Sequence, residues 1–440
     1  MNTSALYDIF LKYPHICTDS RKASEDSIFF ALKGENNDGN KYAEQALQKC
    51  PYAVIDNPEY NVSDRCILVE DVLDTLQKLA AYHRKRLGVP ILAITGTNGK
   101  TTTKELVARV LSKKYKVFYT QGNLNNHIGV PLSLLSIDKT HEFAVIEMGA
   151  SHKGEIAALC KIAAPDFGII TNVGRAHLEG FGSFEGVKAA KGELYKYLHD
   201  NDGMAFVNYD NEILEDMNPP HNIIYYGTKT FTHCQGTLLE SPIFMSFKWA
   251  PSDEVIAEES HTDEECYIIN THLIGSYNFE NALAAVSVGY NFGISPSNIK
   301  AAIEEYVPQN NRSQMLKTEK GNTLILDNYN ANPSSMEAAL NNFAKIDMPN
   351  KVLILGDMLE LGSATHREHS VTLGQIRKLE FKNVYLVGQA FCSLNDTDGL
   401  HCFNNSEECG KYLETAKITN STILIKGSHG MHMDKVVPYL

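Results

Sequence analysis

The sequence predicts an α/β protein of three domains, built on parallel sheets covered by helices. Three observations predict it. Short continuous apolar runs, such as Ile91–Thr95 and residues 143–148 and 167–173, have the length and composition of strands buried on both faces. Helical periodicity fills the intervals, as over 102–111 and 184–198, which is the alternation of a parallel sheet with crossover helices. The chain of 440 residues is also too long for one ordinary core of about 100–200 residues.

The elements follow in order. The first part mixes short β-type runs at 27–32, 52–56 and 66–69 with an amphipathic stretch over 42–48. A helix is predicted over 71–86, where Val72, Leu76, Leu79 and Tyr82 recur at helical spacing. Gly88-Val89-Pro90 then breaks the pattern, so residues 1–87 are predicted as a first small domain and 88–307 as a central one. Between 246 and 269 the pattern thins into Pro251-Ser252-Asp253 and the acidic run Glu258, Glu259, Asp263, Glu264, Glu265, read as a solvated hairpin tip. A second break falls at Val307-Pro308-Gln309-Asn310. Strand-like runs at 323–326, 352–355, 384–387 and 422–425, with helices between them, make 308–440 a third domain. No internal repeat emerges.

Composition removes several classes of function. With 43% hydrophobic and 21% charged residues the chain is globular, and no apolar stretch approaches the roughly 18 residues of a membrane span. Residues 1–12 lack the basic region and apolar block of a secretory signal. Nine cysteines without a C-x-x-C pair suit reduced thiols in a cytosol better than disulfides or a zinc site. A net charge of −13 disfavours nucleic acid as a partner, because phosphate neutralisation needs clustered Lys and Arg. Nucleotides stay open, since backbone dipoles and a few cations bind them.

The strongest local signal follows the run Ile91–Thr95. Gly96-Thr97-Asn98-Gly99-Lys100-Thr101-Thr102-Thr103 supplies a strand, a glycine turn and a helix start in the order a phosphate cradle needs. Glycines let backbone N–H groups converge on an anion, and the helix N-terminus adds its dipole. Lys100 would reach the β/γ-phosphates, and the Thr101 hydroxyl could ligate Mg²⁺. The spacing is shorter than the usual one, with Ile94 standing where a first glycine is expected. The alternative reading is a plain glycine-rich turn.

Three downstream residues are candidates for metal chemistry. Glu147 closes an apolar run, and ligands of open α/β sheets collect at the carboxyl ends of strands. Beside a phosphate loop it could hold Mg²⁺; without one it is a solvated turn acid. His177 follows the next such run, in Asn172-Val173-Gly174-Arg175-Ala176-His177, and is either a ligand or a structural histidine. Lys191, in Lys188-Ala189-Ala190-Lys191-Gly192-Glu193, reads by itself as an ordinary solvated lysine.

In this order, these residues resemble the Mur ligases. Further blocks carry the resemblance across the whole chain: Thr18-Asp19-Ser20-Arg21, Phe30-Ala31-Leu32-Lys33-Gly34-Glu35, Gly122-Asn123-Leu124-Asn125-Asn126-His127-Ile128-Gly129, Asp327-Asn328-Tyr329-Asn330-Ala331-Asn332-Pro333 and Leu355-Gly356-Asp357-Met358-Leu359-Glu360-Leu361-Gly362. The resemblance implies a small UDP-binding domain, a central P-loop-type ATPase domain and a C-terminal Rossmann-like domain. It implies an ATP- and Mg²⁺-dependent cytoplasmic enzyme, a monomer. That enzyme would join D-alanyl-D-alanine to UDP-N-acetylmuramoyl-tripeptide through an acyl phosphate, in peptidoglycan precursor synthesis. By resemblance, Ser20 and Arg21 hold the UDP-sugar, and Asn125, Asn126, Tyr329, Asn330 and Asn332 face the other substrate groups. Thr101, Glu147, His177 and a carbamylated Lys191 bind Mg²⁺. Asn278, Asn281, Arg312 and Asp327 join Gly96, Thr97, Asn98, Gly99, Lys100, Thr101 and Thr102 around ATP. Asn281, Arg312 and Asp327 also have plain readings, as a helix contact, a linker charge and a capping acid.

Two departures stand out. The family commonly carries arginine where this chain has His429, in Lys426-Gly427-Ser428-His429, and histidine where it has Tyr277. A histidine would pair with a carboxylate or phosphate more weakly than arginine, and only when protonated. Rival readings are a sister ligase adding the third peptide residue, a folylpolyglutamate synthase, and a catalytically silent nucleotide-binding scaffold. The first lacks support because no Asp-Asn-Pro-Arg block occurs here; the second, because of Asp19-Ser20-Arg21; the third, because Lys100, Glu147, His177 and Lys191 are all present.

Overall fold

The computed structural model describes residues 1–34, 37–241, 243–251, 266–309, 311–394 and 399–440. The acidic run from Glu258 to Glu265 lies outside these residues, as do Glu35 and Asn310. Three main sheets carry the described chain, with four, nine and six strands in sequence order.

The first sheet is parallel, ordered His15–Cys17, Ser27–Phe30, Tyr52–Ile55, Cys66–Leu68. One face packs on Ala43, Ala46 and Leu47. The other packs on the helix Val72–Leu87, whose apolar stripe Val72, Leu76 and Leu79 is fully buried. Asp71 caps that helix by accepting from Asp74 N, and Gly88 ends it at φ +65°, the left-handed conformation a glycine adopts without strain. The helix serves two sheets. Its far side joins Ile91, Val130, Ile146 and Leu159 in one continuous apolar cluster. His83 bonds to Ile137 O at 2.8 Å, and Arg84 is fixed on Ala163 O and Asp166.

The central sheet is parallel through Val117–Tyr119, Phe143–Glu147, Ile91–Thr95, Phe167–Ile170, Met204–Asn208, Asn222–Gly227 and Cys234–Leu239. It then turns antiparallel through Phe244–Pro251 and Tyr267–Ile274. The predicted parallel α/β pattern therefore ends in an antiparallel extension. Its strands alternate buried and exposed residues, as in Tyr267–Ile274, because one face only is covered. Ile91–Thr95 and Phe143–Glu147 are buried at every position, which is why they read as continuous apolar runs.

The last sheet runs Gln314–Lys317, Thr323–Asp327, Thr422–Lys426, Lys351–Gly356, Asn383–Val387, His401–Phe403, antiparallel only at its first pair. The carboxyl ends of Thr323–Asp327, Lys351–Gly356 and Thr422–Lys426 carry Asp327, Glu360 and Lys426 towards the central domain. No helix among the described residues is long and apolar enough to cross a membrane.

Candidate active site

A cavity of about 980 Å³ opens where the phosphate loop meets the last domain. The loop enters from Ile91–Thr95 and leaves into the helix Lys100–Leu111. Gly96 sits at φ +140° and Gly99 at φ +78°. At both, a side chain would collide, with Thr171 behind Gly96 and with Asn281 behind Gly99. The next strand's end holds the loop: Thr97 N donates to Asn172 O at 2.9 Å, and Asn98 N donates to Asn172 Oδ1 at 3.0 Å. Lys100 Nζ lies on the loop carbonyls of Gly96 and Thr97, at 2.8 and 3.0 Å. Burial pushes its pKa down to about 8; Glu147 opposes the shift and Arg312 adds to it.

Glu147 is 2% exposed and receives Thr101 Oγ1 at 2.9 Å and Asn125 Nδ2 at 2.8 Å. Buried Lys104, one turn after Lys100, lies 3.9 Å from the same carboxylate while donating to Thr120 O at 2.7 Å. Sequence reasoning passed over Lys104, although a lysine one turn along the helix from Lys100 must point near the same strand end. Thr101 and Glu147 are hard oxygen donors of the kind Mg²⁺ takes when it shares its shell with substrate phosphates. Among the described residues no group of three or more His, Cys, Asp or Glu is close enough to hold a metal ion unaided. The donor set therefore fits a magnesium ion carried jointly with a triphosphate.

His177 and Lys191 line the same cavity. His177 has φ +49°, an uncommon backbone for a residue with a side chain. Burial chiefly lowers the pKa of its ring, against the pull of Glu360 and with the charges of Lys100 and Lys191 adding. Lys191 is 2% exposed, not solvated, with its ammonium 5.5 Å from the Phe181 ring centre. Burial first, and Lys100 second, pull its pKa down to about 7.

The last domain supplies the rest. Asn332 Nδ2 donates to Asn98 Oδ1 at 2.8 Å. Ser334 Oγ accepts from Arg175 N at 2.9 Å, and Arg175 faces Glu337 and Glu368 at 3.6 and 3.5 Å. Asp327 is paired with Lys426 at 2.7 Å, and Arg312 lies 3.6 Å over the Tyr329 ring. His429 stands 5.7 Å from that ring. Asn330 is spent on a local turn, accepting from Ala331 N.

Not every expected residue presents a free polar end. Asn278 donates to Ile274 O and accepts from Asn281, whose own oxygen takes the Thr103 hydroxyl. Both thus brace the back of the loop. Tyr277 Oη meets Ser313 Oγ at 3.0 Å. Asn126 accepts from Ile128 N and Gly129 N, shaping the start of the helix Gly129–Leu135. Ser20 and Arg21 do not line this cavity: Ser20 bonds Gln45, and the exposed Arg21 forks onto Asp19. Glu360 and Lys426 line it without having been singled out. Lys426 closes the strand Thr422–Lys426, the position that pointed to Glu147, and Glu360 lies in the loop after Lys351–Gly356.

Residues 94–289 match the Mur ligase middle domain, and residues 311–429 match the Mur ligase glutamate ligase domain. A Bacillus subtilis (strain 168) protein, UDP-N-acetylmuramoyl-tripeptide–D-alanyl-D-alanine ligase, is 33% identical over 96% of this chain and 92% of its own. The chain belongs to the Mur ligase family. An Escherichia coli (strain K12) Mur ligase of the same name is 32% identical over 96% of this chain and 92% of its own. Among solved Mur ligases, MurF from Acinetobacter baumannii superposes with a TM-score of 0.85 at 30% identity, over 96% of this chain and 92% of that one. MurF from Thermotoga maritima, solved in complex with ADP, gives 0.84 at 25% identity, over 98% and 97%.

Proposed function

We propose that this Mur ligase joins D-alanyl-D-alanine to UDP-N-acetylmuramoyl-tripeptide at the expense of ATP. The observation that carries the reading is the convergence, on one cavity, of the phosphate loop, Glu147, buried Lys191 and the last domain's Asn332, Asp327 and Glu360. Full-length similarity to ligases bearing that substrate name supports it.

A carboxylate does not condense with an amine at neutral pH, so it must first be activated. A terminal carboxylate oxygen of the tripeptide bonds to the γ-phosphorus as the bridging β–γ P–O bond breaks, releasing ADP. The dipeptide nitrogen, an ammonium at the outset, then bonds to the acyl carbon as the C–O bond to phosphate breaks, giving up two protons to solvent and keeping the third as the amide N–H. Loop N–H groups and Lys100 hold the phosphates, and closure by the last domain fixes the reactants in contact. Magnesium, when bound, would neutralise charge on the phosphates, held by Thr101, Glu147, His177 and Lys191 as its carbamate. A neutral lysine amine adds CO₂ by forming one N–C bond and losing one proton, and Lys191, its pKa near 7, has that amine available near neutral pH. In this division of labour residues 1–87 bind the UDP-sugar through Ser20 and Arg21. Residues 88–307 bind ATP, with Asn278 and Asn281 on the adenine side. Residues 308–440 bring Arg312 and Asp327 to the nucleotide and Tyr329, Asn330 and Asn332 to the substrates. The family resemblance supports a cytoplasmic enzyme that acts as a monomer.

Phosphate release with ATP and Mg²⁺, adding UDP-muramyl-tripeptide and D-Ala-D-Ala singly and together, tests the reading. Release only with both, with a UDP-muramyl-pentapeptide mass, supports it. Turnover instead with UDP-muramyl-dipeptide and a free diamino acid would move the enzyme one step earlier.

A further inference from the structure

Four carboxylates line the cavity, and three of them are already engaged by fixed donors. Glu147 takes Thr101 and Asn125. Glu155 accepts from Ser151 N and His152 N. Asp327 is held by Lys426 and Ser313 N. The fourth, Glu360, meets only His177 Nδ1 among its described partners, and its side chain is 62% exposed.

Its backbone, by contrast, is anchored. Glu360 follows the strand Lys351–Gly356 in a loop tied down on both sides. Asp357 accepts from Ala390 N and Phe391 N at 2.8 and 3.0 Å, and Leu359 N donates to Ser428 Oγ at 2.9 Å. Glu360 itself has φ +62°, a backbone a non-glycine residue adopts at a cost of about 1–3 kcal/mol. A strained, anchored backbone thus presents to the cavity a carboxylate whose one described side-chain partner is the His177 ring.

Substrate charges say what that carboxylate can receive. The triphosphate and the tripeptide carboxylate are anions, for which the loop, Lys100 and Arg312 stand ready. Two organic cations come with the substrates, the ammonium of the incoming dipeptide and the side-chain ammonium of the tripeptide's diamino-acid residue. Glu360 lies against His177, beside the phosphate loop and Lys191, where the dipeptide nitrogen has to arrive. A buried or half-buried ammonium needs a carboxylate partner, because desolvation without one is costly.

We propose that Glu360 receives the ammonium of the incoming dipeptide and so holds its nitrogen beside the activated carboxyl group. This rests on the reading of the protein as a D-Ala-D-Ala ligase. Glu360 is then the residue by which the last domain selects an amine.

Glu360→Gln, compared with wild type, tests the assignment. The variant keeps the size of the side chain and removes its charge. The KM for D-Ala-D-Ala should rise about tenfold or more, the size of a charge-assisted hydrogen bond, while the KM values for ATP and UDP-tripeptide stay within about twofold. Propanoyl-D-alanine has the shape and carboxylate of the dipeptide but no amine, and its inhibition constant should be unchanged. Equal weakening of dipeptide and desamino analogue would overturn the proposal and leave Glu360 a contact that only holds the domains together. A shifted Mg²⁺ requirement with an unchanged dipeptide KM would overturn it in favour of a cation ligand. Glu360→Asp, which keeps the charge, should recover part of the dipeptide affinity, with both variants melting close to wild type; no recovery in a folded Glu360→Asp enzyme would also overturn the proposal. Wild-type enzyme idle with the substrate pair would instead overturn the reaction assigned above, not the role of Glu360.

Discussion

Asn332 in the last domain donates its side-chain amide to Asn98 Oδ1 in the phosphate loop, at 2.8 Å and across 234 residues of sequence. The same side chain caps the helix Pro333–Lys345, its oxygen accepting from Ser335 N at 2.9 Å while Ser335 Oγ accepts from Asn332 N. One amide therefore uses its acceptor for its own helix and its donor for the other domain. The consequence is mechanical: the last domain adds a side-chain bond to a loop that Asn172 already holds, so nucleotide binding and the seating of that domain should support one another.

That dual use can be separated by substitution. Asn332→Ser keeps a capping oxygen but is too short to reach Asn98, whereas Asn332→Ala loses both functions. Both variants should raise the KM for ATP severalfold. Only the alanine variant should also lose the roughly 1 kcal/mol of an N-cap, read as a lower Tm. A normal KM for ATP in both would mean that the interdomain bond carries no binding energy.

Lys100 gives an opposite pairing of stability and activity. Its folded pKa of about 8 lies below the ordinary lysine value of 10.5. Below pH 8 both folded and unfolded chains carry the proton, and the fold bears the whole cost of the buried charge. As pH rises from about 8 to 10.5 the folded state binds fewer protons than the unfolded one, so that cost is progressively relieved. Lys100→Met should therefore raise Tm by roughly 2–4 °C at pH 7, with the gain shrinking towards pH 10. Lys100→Ala should likewise abolish ligation while leaving a folded protein. An active Lys100→Ala enzyme would remove the phosphate-loop assignment.

Lys191 tests the carbamate. With a pKa near 7, its neutral amine is scarce at pH 6 and dominant at pH 8, so CO₂ adduct should follow the same rise. Protein equilibrated with ¹³C-bicarbonate should show a carbamate carbon resonance at pH 8 that fades at pH 6 and is missing from Lys191→Arg. A signal of equal strength in the arginine variant would assign the adduct elsewhere.

How much of this was legible beforehand depends on where the signal is stored. The strands Ile91–Thr95 and Phe143–Glu147 are buried throughout, so their apolar runs announced them, and strand-end position then located Glu147. The phosphate loop was legible because its glycines are required locally. Lys191 was not, because its burial depends on the neighbouring helix Leu178–Phe181 and on Phe181 in particular, which no local periodicity encodes. The contacts of His177 with Glu360 and of Asn98 with Asn332 join distant segments; each partner alone reads as a solvated polar residue. The strands Cys234–Leu239 to Tyr267–Ile274 alternate polar and apolar side chains over part of their length, and this gave a thinning pattern rather than a clear sheet.

The loop glycines give the last prediction. A Cβ on Gly96 would stand 2.0 Å from Thr171 Oγ1 and 3.0 Å from Thr171 N. The hydroxyl could rotate away only by giving up its bonds to Asn98 O at 2.6 Å and Thr95 O at 3.3 Å, and the backbone nitrogen belongs to a buried strand end and cannot yield. Gly96 also sits at φ +140°, where a side chain is strained whatever the space. Gly154, at φ +87°, has open space around its missing Cβ and so reports the backbone cost alone. Gly96→Ala should lower Tm by several degrees more than Gly154→Ala and raise the KM for ATP about tenfold or more, because the displaced Thr171 hydroxyl releases the loop carbonyl it holds. Gly154→Ala should leave the KM for ATP unchanged. Equal effects in the two variants would show that the loop tolerates a methyl group, and that its grip on phosphate does not depend on close approach to the strand behind it.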